Sequence, residues 1–399
     1  MQHLVRLISI LIISLVYPYS ASYAEVSDQD SIKISLLTCS PGGEEIYELF
    51  GHTAIRIQNE KEDLVYNYGL FDFNAPHFIW RYIKGETDYA LGIQPYSHFI
   101  SVYTARGSEV REQKLNLTST EKQKLYETLQ ENARPENRIY RYNYFFDNCA
   151  TRPRLKIEES INGLIKYDER VDTETFRDAL HKHLAGHAWA QFGIDLCLGK
   201  DADKQMEETD RYFMPVYLHE AFRRALIVPS QGDFRDLVLS DTLLNRIPTA
   251  PKESATDESF WTPQTCGILL LLLIAGISIY GLIRNRLFWG IDVVLFSLAG
   301  CAGCILAFLS LYSQHPAVDS NWNLVVFHPF HLFYMPVFIY NMYKGNRDFY
   351  HPLNAIILTP FLLFFSSLPQ EINTAVVPLA LCLWVRSVCH TIFLADRWK

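Results

Sequence analysis

Positive charge is scarce in the last third of this 399-residue chain. Of its 36 Lys and Arg, only seven fall after residue 264, against five of the 44 Asp and Glu. The segment from residue 25 to residue 264 is left at about −11, so an acidic soluble part precedes a nearly uncharged one. An acidic domain is a poor partner for nucleic acid or anionic lipid, and nucleic-acid binding is excluded. Cysteine is scarce too. Only Cys39, Cys149 and Cys197 precede residue 264, which is too few for a disulfide framework. At most one pair can form; if it is Cys39–Cys197, Cys149 is left as a free thiol. Internal repeats and low-complexity tracts are lacking, as is a convincing pair of carboxylates for glycoside hydrolysis. The apolar third also lacks a charged pathway, which counts against transport.

What is present is a break in character near residue 264. Five apolar runs follow it: Cys266–Ile283, Leu287–Tyr312, Leu324–Tyr343, Leu353–Leu368 and Thr374–Leu394. Each is close to the length an α-helix needs to cross about 30 Å of hydrocarbon. Arg284 and Arg286, Lys344 and Arg347, and Arg397 and Lys399 lie in alternate gaps, while 313–323 and 369–373 carry no Lys or Arg. The positive-inside rule puts the charged gaps and the C-terminus in the cytoplasm and the N-terminal part outside. At the other end, Leu7–Tyr17 is a short apolar core and Ser22-Tyr23-Ala24 a cleavage pattern, so residues 1–24 read as a signal peptide, with an uncleaved anchor as the alternative. The expected organisation is a signal peptide (1–24), an exported domain (25–250), a linker (251–264) and a membrane domain (265–399). The location is the inner membrane, with the exported domain in the periplasm.

The exported part mixes strands and helices. Ile32–Thr38, His52–Ile57, Leu64–Tyr68, Tyr89–Ile93 and Val110–Leu117 read as strands, and Phe71–Trp80 as an aromatic loop. Thr118 with Glu121 opens a helix through a capping box. Arg141–Phe146 reads as a strand of alternating aromatics before a helix whose first turn tolerates Pro153. Thr173–Leu184 and Val216–Leu226 are further helices.

That order puts Cys149 at or just before a helix N-terminus, where partial positive charge lowers a thiol pKa. A facing histidine, His52 in Gly51-His52-Thr53, would take the thiol proton. Asn67, Tyr68 and Asp72 are candidates to orient that imidazole, and Asn148 adjoins the thiol. The opposing reading is a small buried cysteine and an ordinary histidine. His181, His183, His187 and His219 form a looser cluster, but His181 and His183 lie two apart on a predicted helix and do not share a face, so exposed polar residues are expected there and no metal or cofactor there or elsewhere. Asp195 reads as a turn or cap residue. In the membrane part His315, Asn321, Asn323 and His328 are polar candidates, because polar groups at that depth are costly. Arg386 either faces the bundle or snorkels, and Asp292 reads as a helix-start residue.

Four stretches carry a resemblance. They are Leu36–Gly42, Phe50–Arg56, Tyr66–Phe73 and Tyr144–Arg152, the last containing Phe146-Asp147-Asn148-Cys149. Together with the five runs and their His-Pro and Asn-x-Asn loop, they resemble the Lnb N-terminal periplasmic domain family and its five-helix membrane domain. The His-before-Cys order is also similar to permuted papain-like folds, in which the Cys opens a helix against a sheet. The resemblance implies an α+β exported domain joined to a bundle of five transmembrane helices, with His52 and Cys149 as the matching site positions. Two functions fit. One is a Cys/His hydrolase or acyltransferase acting on envelope lipid, lipoprotein or peptidoglycan amides or esters. The other is a non-enzymatic assembly or maturation factor for exported glycosidases or other envelope proteins.

Overall fold

The protein is described by a computed structural model covering residues 32–42, 45–72, 75–168, 173–246 and 260–397. The expected signal peptide, its cleavage site and most of the linker lie outside these residues.

A seven-stranded antiparallel sheet forms the first domain. It uses β1 (Lys33–Cys39), β2 (His52–Gln58), β3 (Asp63–Leu70), β4 (Asp88–Pro95), β5 (Val110–Leu115), β6 (Ile139–Arg141) and β10 (Val238–Leu243) in the order β10-β5-β1-β2-β3-β4-β6. A small second sheet joins β7 (Gly163–Lys166), β8 (Leu226–Pro229) and β9 (Arg235–Asp236). Alternation decides the faces of the main sheet. Ile34, Leu36, Ile55, Ile57, Tyr66 and Tyr68 enter one apolar core, while Leu37, Cys39, Ala54 and Val65 enter another on the opposite face. The sheet is covered on both sides, which is why its central strands place apolar residues on both faces.

Among the described residues, seven α-helices surround the sheets: α1 (Phe78–Ile83), α2 (Tyr96–Ala105), α3 (Ser119–Asn132), α4 (Thr151–Ser160), α5 (Phe176–Leu184), α6 (Ala188–Cys197) and α7 (Pro215–Arg224). The capping box at Thr118 forms in both directions: Glu121 N donates to Thr118 Oγ1 and Thr118 N donates to Glu121 Oε2. Two expectations need correcting. The aromatic stretch after β3 is not all loop, since Phe78–Ile83 is helical. The run Arg141–Phe146 is not a strand beyond Arg141. Asn143 Oδ1 accepts from Phe145 N and Phe146 N and closes a turn there, as a short amide side chain can.

The second domain comprises α8 (Pro263–Ile283), α9 (Trp289–Tyr312), α10 (Phe330–Lys344), α11 (Tyr350–Phe364) and α12 (Val376–Arg397). Four of the described helical segments are long and apolar enough to cross a membrane: Pro263–Ile283, Trp289–Tyr312, Trp322–Lys344 and Val376–Phe393. The fourth apolar run differs. α11 has 15 residues, about 22 Å, and Pro360 lies within it. Its short length follows from the preceding connection, which folds back along α10. Tyr334, ten residues before the end of α10, donates its hydroxyl to Asp348 at 2.9 Å, so α11 starts inside the bundle.

Arg386 and Asp292 meet in that interior. Arg386 Nε lies 2.6 Å from Asp292 Oδ1, and Nη1 donates to Ser278 Oγ at 3.0 Å. Arg386 therefore faces the bundle and does not snorkel. Asp292 lies in the first turn of α9 and pairs across to α12.

Candidate functional site

Gly51 sets up the site. Its φ is +74°, and a Cβ there would sit 2.6 Å from the Cys39 carbonyl oxygen. Only glycine enters β2 this way, and the register then pairs His52 with Cys39. β3 runs beside β2 and brings Asn67 to the imidazole, with Asn67 Oδ1 2.6 Å from His52 Nε2. Oδ1 can only accept, so Nε2 carries the ring proton and Nδ1 keeps the lone pair. Tyr103 stacks against the His52 ring, with centroids 5.7 Å apart and planes 12° apart.

Cys149 reaches the same place from the loop before α4. Asn148 builds that loop: its Oδ1 accepts from Ala150 N and Thr151 N, and its Nδ2 donates to the carbonyls of Tyr144 and Phe213. These bonds hold the loop against the helix start, whose N-cap is Ala150, and Cys149 sits just ahead of it. The two reactive side chains converge on Gly69, whose φ is +94°. A Cβ at Gly69 would lie 3.5 Å from Cys149 Cβ and 3.9 Å from His52 Cε1. Both side chains keep partial solvent contact.

The electrostatics correct one expectation. Burial pushes the Cys149 thiol up to about 11, even though the backbone N–H groups of Thr53 and of Cys149 itself favour the thiolate. Burial lowers His52 to about 4; the Asn67 bond opposes that fall and the Arg106 charge adds to it. The resting pair is a neutral thiol and a neutral imidazole, not a thiolate. Cys149 lies two residues ahead of the first helical residue, Thr151, in a crowded place where desolvation outweighs the helix end.

The remaining candidates take other places. Tyr68 is buried, and its hydroxyl donates to Asn132 Oδ1 at 2.7 Å, so it is a core residue. Asp72 is exposed in the turn after β3, where its carbonyl accepts from Ala75 N. Among the three candidates for orienting the imidazole, Asn67 is the one in contact with His52. Cys39 and Cys197 are both free thiols, so that pair does not form. His181 contacts Asp195, His183 bonds the Ala179 carbonyl and His219 contacts Asp241, so these histidines do not gather.

Four polar candidates in the membrane domain meet the first domain or the bundle core. His315 Nε2 lies 2.6 Å from the Tyr82 carbonyl. Asn321 donates to the Leu196 carbonyl at 2.7 Å and Asn323 to the Asp195 carbonyl at 3.2 Å. His328 stacks on His331 at 3.7 Å. Asp195 is not a cap but a buried hub within α6. Arg177 Nη1 and His181 Nε2 each lie 2.8 Å from its Oδ1, and Asn373 donates to its Oδ2 at 2.8 Å. Burial would raise this carboxyl, but His181, Asn373 and Arg177 hold it below its ordinary range. Asp195 as a hub is not visible in sequence, because its side-chain partners come from two separated segments, α5 and the loop before α12.

A series of aromatic contacts runs from α1 to the end of the main sheet. Trp80 packs on Phe308 of the membrane domain at 5.2 Å, Phe78 stacks with Phe71 at 6.1 Å, Phe71 meets Tyr89 at 5.1 Å, and Tyr89 stacks with Tyr142 at 4.1 Å.

The fold is thus an α+β domain fixed on a helical membrane bundle, with a cysteine and a histidine both close to Gly69 in the first domain. Residues 19–182 match the model of the Lnb N-terminal periplasmic domain, and residues 255–397 match that of the Lnb transmembrane domain, whose family name specifies five transmembrane helices. The chain belongs to this family: it is a membrane protein with a periplasmic N-terminal domain and a transmembrane C-terminal domain. No curated protein and no solved structure matches it.

Proposed function

We propose that the periplasmic domain is a cysteine-dependent acyl hydrolase or acyltransferase that takes its substrate at the membrane surface. The carrying observation is the convergence of Cys149 and His52 at Gly69, with Asn67 holding the imidazole so that Nδ1 is free to act as a base. Cys149 Sγ attacks an ester or amide carbonyl and forms the C–S bond while its proton moves to His52 Nδ1. The thiol and imidazole prefer their neutral forms, so transfer accompanies attack rather than preceding it. The backbone N–H groups of Thr53 and Cys149, which favour negative charge at the sulfur, are the candidate donors to the oxyanion. Collapse expels the alcohol or amine with the His52 proton. Water or a second nucleophile then resolves the thioester.

The packing of α1 on the membrane domain, through Trp80 on Phe308, supports an acyl-lipid or lipoprotein substrate over a soluble one. In this reading the chain sits in the inner membrane with Arg284, Lys344 and Lys399 in the cytoplasm. The test is labelling of the full chain in membranes with an alkyne-bearing β-lactone, an acylating probe. Wild type should label and Cys149→Ala should not. Equal labelling of both proteins would discard the enzyme and favour an assembly or maturation factor.

A further inference from the structure

The membrane bundle holds a second cluster, unrelated to Cys149. Asp348 precedes α11, His351 lies in its first turn, and His390 lies on α12. Their exposures are 4%, 0% and 0%. One ligand atom from each lies within 4.8 Å of the others, the one group of this kind among the described residues. His351 Nδ1 is 2.6 Å from Asp348 Oδ2, and His390 Nδ1 is 3.8 Å from the same oxygen. The two imidazoles stack at 4.1 Å with planes 13° apart, so their edges approach one carboxylate side by side.

The hydrogen bonding is incomplete. His351 Nε2 and both ring nitrogens of His390 lack a partner. A neutral imidazole has one N–H and one lone pair, and burying either without a partner is unfavourable. Apolar walls keep water out: the Phe338 ring is 4.9 Å from His351 and 5.5 Å from His390, and Phe296 is 5.1 Å from His351. Two imidazole Nδ1 atoms converging on one carboxylate oxygen in a dry interior, that of His390 with no hydrogen bond, are what a cation satisfies.

We propose that Asp348, His351 and His390 bind one divalent first-row transition-metal ion, which ties the start of α11 to α12. Two imidazoles and a carboxylate suit Zn²⁺ or a similar ion; an all-oxygen shell would suit Ca²⁺ or Mg²⁺. The spacing is close to what is needed. Ligand atoms at about 2.0–2.2 Å from a tetrahedral ion stand about 3.3–3.6 Å from each other. The 2.6 Å contact opens slightly and the 3.8 Å contact closes slightly. A supporting layer lies one turn away on each helix, where Asn354 Nδ2 donates to Ser387 Oγ at 2.9 Å and fixes α11 against α12.

The test uses the full chain, purified in detergent through a tag without histidine, stripped with chelator, and reloaded with Zn²⁺ or Co²⁺. After desalting, wild type and the exposed-histidine control His98→Gln should each retain about one ion per chain. Asp348→Asn and His390→Gln should each weaken retention about 10–100-fold or more. Wild-type protein loaded with Co²⁺ should show the visible bands of a tetrahedral nitrogen and oxygen site. That spectrum decides the matter even if a variant fails to fold. Retention well below one ion by wild type would overturn the proposal. So would thiolate-to-cobalt charge transfer, or folded variants that hold the ion as wild type does.

Discussion

Asn67 Oδ1 stands 2.6 Å from His52 Nε2, and this contact between adjacent strands holds the ring proton on Nε2 and leaves the lone pair on Nδ1. Asn67→Ala should slow acylation of Cys149 while leaving the fold intact, because the ring loses its tautomer and orientation. His52→Ala removes the base itself and should cost about 10²–10⁴-fold. Rates of β-lactone labelling, followed alongside thermal melting, check both. An Asn67→Ala protein that acylates at the wild-type rate would remove Asn67 from the site.

The thiol should be slow to alkylate at neutral pH. Burial holds Cys149 near 11, so its iodoacetamide rate should stay low through pH 8 and climb steeply above pH 9. Mass-spectrometric alkylation of that single peptide across pH gives the titration directly. A midpoint below 8 would mean that the helix end and the two N–H groups outweigh desolvation.

The same pair makes stability depend on pH at both ends. His52 falls from an ordinary 6.5 to about 4, so its contribution is complete above 6.5 and is lost as pH drops toward 4. Cys149 rises from 9.0 to about 11, so its contribution is complete below 9 and is lost as pH climbs toward 11. The melting temperature should form a plateau between these limits. His52→Gln should flatten its acid side and Cys149→Ser its alkaline side.

Much of this architecture is legible in the chain itself. The apolar runs show the bundle, because hydrocarbon tolerates few charges over such a length. The β-branched stretch after Gly51 marks β2, and the Thr118–Glu121 box marks α3. Other features are hidden because they depend on contacts across the fold. Asn67 and Tyr68 are neighbours on one strand, and only the pleat decides which faces His52. The low thiol pKa expected at a helix start gave way to crowding that no local pattern reveals. Asp348, His351 and His390 go unnoticed because a connection turns back into the bundle.

Gly51 should not tolerate a side chain. Its φ of +74° and the 2.6 Å approach to the Cys39 carbonyl predict a loss of about 1–3 kcal/mol for Gly51→Ala. Thermal unfolding checks the stability. Slower labelling of Cys149 should accompany it, since His52 is the next residue.

Arg386 and Asp292 are both nearly inaccessible within the bundle and 2.6 Å apart. Arg386→Met alone or Asp292→Leu alone leaves a buried charge and should destabilise by about 3–5 kcal/mol. The double variant should recover most of that loss. A double-mutant cycle in detergent-solubilised protein measures the coupling, and additive losses would mean that the two groups are screened from each other.

The most direct measurement is the mass of the periplasmic domain's own intermediate. Full-length protein is incubated in vesicles containing diacyl phospholipid and a diacylated lipopeptide, quenched in acid, digested and analysed by mass spectrometry. The expected result is a hydroxylamine-labile acyl increment on the peptide carrying Cys149, absent from Cys149→Ser and accumulating more slowly in His52→Ala. An unmodified Cys149 peptide with either substrate, or an increment that persists in Cys149→Ser, would contradict a cysteine acyl-enzyme at this site.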